Sequence, residues 1–136
     1  MLMAAHEKHF DFPSWNCLYF ALQDIDAMLE TEFYNKYANL ADSPQTAAKN
    51  LRRMEEVKTP KELILKLVGG ELQHISAARI GDIVFIDEMR EDWPVSQVDL
   101  FGPTPGVCYG MNSWFVGENG LVQIPTLKLD SAVWVS

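Results

Sequence analysis

Cys17 is the residue whose type and position say most about possible chemistry. It follows Asn16, a good N-cap residue, and Pro13-Ser14-Trp15, so it falls in the first turn of a predicted helix. Free backbone N–H groups and the helix dipole favour a thiolate over a thiol there, which is how a cysteine nucleophile is often activated. The structural alternative is a small core residue at a helix start, since free cysteines are among the most buried side chains. A cysteine nucleophile also needs a base within reach, usually a histidine, and the chain offers His6, His9 and His74. The first two fall in an N-terminal segment, 1–11, that is expected to be mobile. His74 lies between Gly69-Gly70 and the first long strand, where a hydrogen-bonded loop imidazole is commoner than a catalytic one. Cys108 falls within a predicted strand and is expected in the core. Neither cysteine has CxxC or Cys/His ligand spacing, so neither structural zinc nor any other cofactor is expected. Asp87, Glu88, Glu91 and Asp92 lack the spacing of an EF-hand loop and read as a solvated connection.

The elements that must position these residues change character near residue 80. Leu18, Ala21, Leu22, Ile25, Met28 and Leu29 recur at helical spacing, with Gln23, Asp24 and Asp26 on the other face. A short aromatic helix or turn follows at Phe33 to Tyr37. Ser43-Pro44 opens a second helix striped by Ala47, Ala48, Leu51 and Met54, and the capping box Thr59-Pro60-Lys61-Glu62 opens a third that Gly69-Gly70 closes. Then Ile83-Val84-Phe85-Ile86 reads as a buried strand, followed by Gly106 to Tyr109, Ser113 to Val116, Leu121 to Ile124 and Ala132 to Val135, with Gly117-Glu118-Asn119-Gly120 as a hairpin turn. Helices first and strands after predict an α+β fold, N-terminal helices packed on a C-terminal antiparallel meander.

At 136 residues, 48% hydrophobic and 22% charged, the chain is the size of one domain, 1–136, with an ordinary core. Eleven Lys and Arg against nineteen Asp and Glu leave a net charge of −8, a field that repels phosphate backbones and anionic lipid, so no nucleic-acid partner is expected. The start lacks the basic and apolar regions of a signal peptide, and no window approaches the roughly 20 apolar residues of a membrane span. Two cysteines allow at most one bridge and fit a reducing compartment.

The string Asn16-Cys17-Leu18-Tyr19-Phe20-Ala21, the strand Gly81-Asp82-Ile83-Val84-Phe85-Ile86 and the meander resemble the NlpC-type papain-like cysteine peptidases, which cleave peptidoglycan peptides. The chain is more closely similar to a small family of this fold encoded by phages and prophages beside their tail genes. That similarity includes the ending Gly106-Val107-Cys108-Tyr109-Gly110, Gly120 to Pro125 and Ala132 to Val135, and it runs from about Phe12 to the C-terminus. In NlpC-type enzymes a catalytic histidine opens the second strand in a His-aliphatic-Gly-aliphatic pattern, and laid over this chain that pattern puts Thr104 in the histidine's place. Threonine is no base near neutral pH. The phage family also lacks that histidine, and Asn16 stands where the enzymes usually carry aspartate.

The resemblance therefore implies a phage tail-associated structural or assembly protein with a vestigial Cys17, docking to tail tip or hub proteins. It would reside in the bacterial host cytoplasm during assembly and then in the virion tail. A peptidoglycan-cleaving cysteine hydrolase using Cys17 is the alternative, and a cytoplasmic assembly factor absent from the finished particle a third. The connection from Asp87 to Pro105 is longer than a sheet needs and carries Trp93, Val95, Val98, Leu100 and Phe101. Trp93 and Phe101 are the expected partner anchors, because such aromatics dominate interface hot spots. Folding back into the domain's own core is the competing fate for these side chains.

Overall fold

A computed structural model describes residues 16–37, 44–87, 95, 103–117 and 120–135. Among the described residues four α-helices come first, α1 (Cys17–Leu29), α2 (Phe33–Tyr37), α3 (Pro44–Glu55) and α4 (Pro60–Val68). Six strands follow: β1 (Leu72–Gln73), β2 (Ile83–Ile86), β3 (Thr104–Cys108), β4 (Asn112–Gly117), β5 (Gly120–Pro125) and β6 (Ser131–Val133). The protein is α+β, and all six strands form one antiparallel sheet in the order β1-β6-β2-β3-β4-β5.

Local sequence explains the helix ends. Asn16 is extended, and its side-chain oxygen accepts from the Tyr19 N–H at 3.1 Å, satisfying a donor that the first turn leaves free. Thr59 does the same for Glu62 at the head of α4, with Pro60 in the first helical position. Glu62 reaches back to the Lys58 N–H at 2.6 Å rather than to that of Thr59, so the box spans one residue more than expected. Gly69 ends α4 in the left-handed conformation, φ 65°.

The meander is real from β2 to β5, and Gly117 opposite Gly120 leaves two residues for its last turn. The final strand departs from expectation. Rather than extending the meander beyond β5, β6 returns to pair with β2, Val133 opposite Ile83, and carries the two-residue strand β1 on its other side. Short 3₁₀ turns at Ile75–Ala77, after β1, and Thr126–Lys128, before β6, touch each other beside that antiparallel pair. Thr104 and Pro105, read as the end of a connection, are the first residues of β3, opposite Ile86 and Phe85.

Helix α1 is the centre of the packing. It lies on β3, β4 and α2, and Leu18, Tyr19, Phe20, Ala21, Leu22 and Ile25 are all buried. Two sequence expectations fail on the helices. Asp24 and Asp26 are not a solvated face: Asp24 is buried, and both oxygens of Asp26 cap α2, accepting from the N–H groups of Phe33 and Tyr34 at 2.8 Å. A helix covered on nearly every side has no wet face to give its polar residues. Met54 leaves the stripe of α3, where Ala47 and Leu51 are buried, and stands exposed.

Candidate functional site

Cys17 is the first residue of α1, behind the Asn16 cap, and the cap is buried and satisfied. The helix it opens seats on β3, the arrangement expected from the order of elements. Spacing places Phe20, Ala21, Asp24 and Met28 on one helical face. Two contacts orient that face. Met28 closes over Gly81, where an added Cβ would meet the Met28 side chain. The Asp24 carboxyl feels the charge of Asp82, one residue further along. Asp82 and Gly81 hydrogen-bond the Cys108 end of β3, with Cys108 N–H donating to Asp82 O at 2.9 Å and Gly81 N–H to Cys108 O at 2.8 Å. The C-terminal turns of α1 therefore sit at the exit of β3.

At the Thr104 end of β3 no imidazole is found among the described residues. Thr104 is buried and opens β3 opposite Ile86, with Pro105 next to it. Two residues on, a methyl group at Gly106 would overlap the Phe115 ring, so packing requires glycine there. His74, the described histidine, follows β1, with β6 and β2 intervening before β3. It is exposed, accepts from the Ser76 N–H at 3.1 Å and bonds the Ser76 hydroxyl at 2.7 Å, which makes it the cap of the 3₁₀ turn. The structure thus does not bring His74 to the Cys17 region. The expectations for His6, His9, Trp93 and Phe101 lie outside the described residues. Val95, from the same connection as Trp93 and Phe101, is buried in the core.

Cys108 is buried and free, as its strand position suggested. Its sulfur neighbours a closed polar cluster in which the Ser113 and Thr126 hydroxyls bond at 2.8 Å and Thr126 donates to Gly110 O at 2.7 Å. This network is satisfied internally and holds the β3–β4 turn to the 3₁₀ turn after β5.

Sequence reasoning missed the buried acids beside α1. Asp82 is 1% exposed and receives the Arg79 N–H at 2.8 Å, Arg79 Nε at 3.1 Å, Arg79 Nη2 at 3.4 Å and the Val135 N–H at 3.1 Å. Arg79 in turn stacks over the Trp134 ring at 4.6 Å, and the Trp134 indole donates to Ala77 O at 3.0 Å. Asp24 is 4% exposed, and its Oδ2 has no hydrogen-bond partner. Burial, reinforced by the charge of Asp82, pushes its carboxyl up to about 7. The signal available in the sequence was its seven-residue spacing from Cys17 on a helix with apolar residues all around. Among the described residues, no three His, Cys, Asp or Glu side chains converge as a metal site would require.

No curated protein and no solved structure matches the chain. No described helix is long and apolar enough to cross a membrane. Residues 1–135 match the family described as Domain of unknown function (DUF6950), and the chain belongs to that family.

Proposed function

We propose that this protein is a phage tail-associated structural or assembly component built on an NlpC-like papain fold in which the cysteine site no longer performs hydrolysis. The observation that carries the reading is the pairing of a helix-opening Cys17 with a β3 that begins at Thr104, where the peptidases keep their base. A thiol at a helix N-terminus gains acidity from the dipole, but acyl transfer also needs a group that takes and returns a proton at the leaving atom. Thr104 cannot supply it. The tail context rests on the likeness of residues 16–21, 81–86 and the C-terminal strands to phage proteins encoded beside tail genes. Docking to tail tip or hub proteins is assigned to Trp93 and Phe101 of the long connection, which is tied to the domain at Val95.

Incubation of the purified protein with cell-wall peptides should release no product above a Cys17→Ser control, and Cys17→Ser phage should remain infectious. Cys17-dependent release of peptides would instead establish the hydrolase. In parallel, Trp93→Ala with Phe101→Ala should keep the fold and reduce capture of tail tip or hub proteins. Unchanged capture would remove the docking assignment.

A further inference from the structure

We propose that Asp24 is a proton-operated latch: neutral, it lets the C-terminal half of α1 seat against the head of β2, and ionised, it drives those turns off the sheet. The inference is independent of any activity at Cys17.

The geometry is a mismatch between two buried acids. Asp82 uses both carboxylate oxygens on donors from Arg79 and Val135, so its charge is compensated in place. Asp24 approaches from α1 with Oδ2 facing no donor. The titratable group that acts on it is Asp82 at the head of β2, and the Asp24 charge in turn adds to the burial that raises the hydroxyl of Tyr109, just beyond β3. Arg79, the nearby cation, is turned toward Asp82 and stacked over Trp134. Asp26, on the same helix, is committed to the N–H groups of α2. In the structure Asp24 Oδ2 accepts no hydrogen bond from any of these groups, so on ionisation that oxygen must draw in water to be solvated.

The element that would respond is already the looser part of the helix. Leu18 to Leu22 are sealed in the core, whereas Met28 and Leu29, one turn beyond Asp24, are 37% and 36% exposed and the helix ends at a left-handed Glu30. Opening these turns would uncover the Met28–Gly81 contact and the buried Ile25 while leaving Leu18 to Leu22 in the core.

The test is a carbon-detected NMR titration of the aspartate carboxyls from pH 4 to 9, combined with amide hydrogen exchange over the same range. Asp24 should titrate with a midpoint near 7. Corrected for intrinsic exchange, amides 24–29 should lose protection by about tenfold or more relative to amides 18–22 between pH 6 and 8.5. Asp24→Asn should abolish that pH dependence. A midpoint near that of an ordinary aspartate, or protection that does not change across the range, would overturn the latch, and both are read on the unmodified protein. An unchanged pH trend in Asp24→Asn would overturn it equally.

Discussion

Two carboxylates in this domain are pushed in opposite directions, one by donors gathered around it and the other by burial without a donor to one of its oxygens. Glu55, at the end of α3, accepts from the Tyr37 hydroxyl of α2 and pairs with Lys36 at 3.0 Å and with Lys66 of α4 at 3.1 Å. Those bonds, the tyrosine's first, hold its carboxyl down to about 2. Asp24, enclosed between α1 and the sheet without a donor to Oδ2, is raised to about 7. The first carboxylate joins three helices. The second burdens the helix that carries it as soon as it is charged.

Removing the knot should have the largest effect. Glu55→Ala leaves the buried Tyr37 side chain without its acceptor and frees two lysines, and the expected loss is about 3 kcal/mol at pH 7, measured by urea denaturation. Because the folded carboxyl lies below its unfolded value of 4.5, its contribution is full above about 4.5 and fades as pH falls toward 2. The variant should therefore lose much of the acid limb of the stability profile. Asp24→Asn should act in the reverse sense, with a gain of about 2 kcal/mol at pH 8 and almost none at pH 4. Here the folded carboxyl lies above its unfolded value of 3.8, so the native state binds the extra proton and stability declines as pH rises from about 4 to about 7. Together the two groups predict greatest stability near pH 4 to 5, and melting temperatures across pH 3 to 9 would show it. The smallest effect belongs to Lys36→Ala. Its side chain is 55% exposed, and solvent screening should limit the loss to about 0.5 kcal/mol.

The same contrast separates what the sequence could disclose from what it could not. The helix ends were legible because their causes lie within four residues: Asn16 before Tyr19, Thr59 before Glu62, Gly69 after Val68. The strands from Ile83 onward were legible from β-branched runs and a glycine turn. Strand partners were not, since β6 pairs with residues some fifty positions earlier and no local pattern names them. Strand β1, two residues long, is too short to show a period. In the candidate site, Cys17 at its helix start was readable, whereas Thr104 as the first residue of β3 was not, since it reads as part of the connection. The burial of Asp24 was not readable, because helical spacing puts it on the face away from the apolar stripe and does not reveal that this side of α1 is also covered.

The position of β6 has a consequence for biosynthesis. This strand, close to the C-terminus of the chain, lies between β1 and β2 and supplies pairing to both. During translation the helices and the β2–β5 meander can emerge and associate, but β2 keeps one edge unpaired and β1 has no sheet to join until Val133 is clear of the ribosome. Such an edge is a template for another chain. A stalled or truncated polypeptide ending before Ser131 would thus expose Ile83, Val84 and Phe85 along an open border, and its fate would be decided by chaperone capture or aggregation rather than by slow completion of the native sheet.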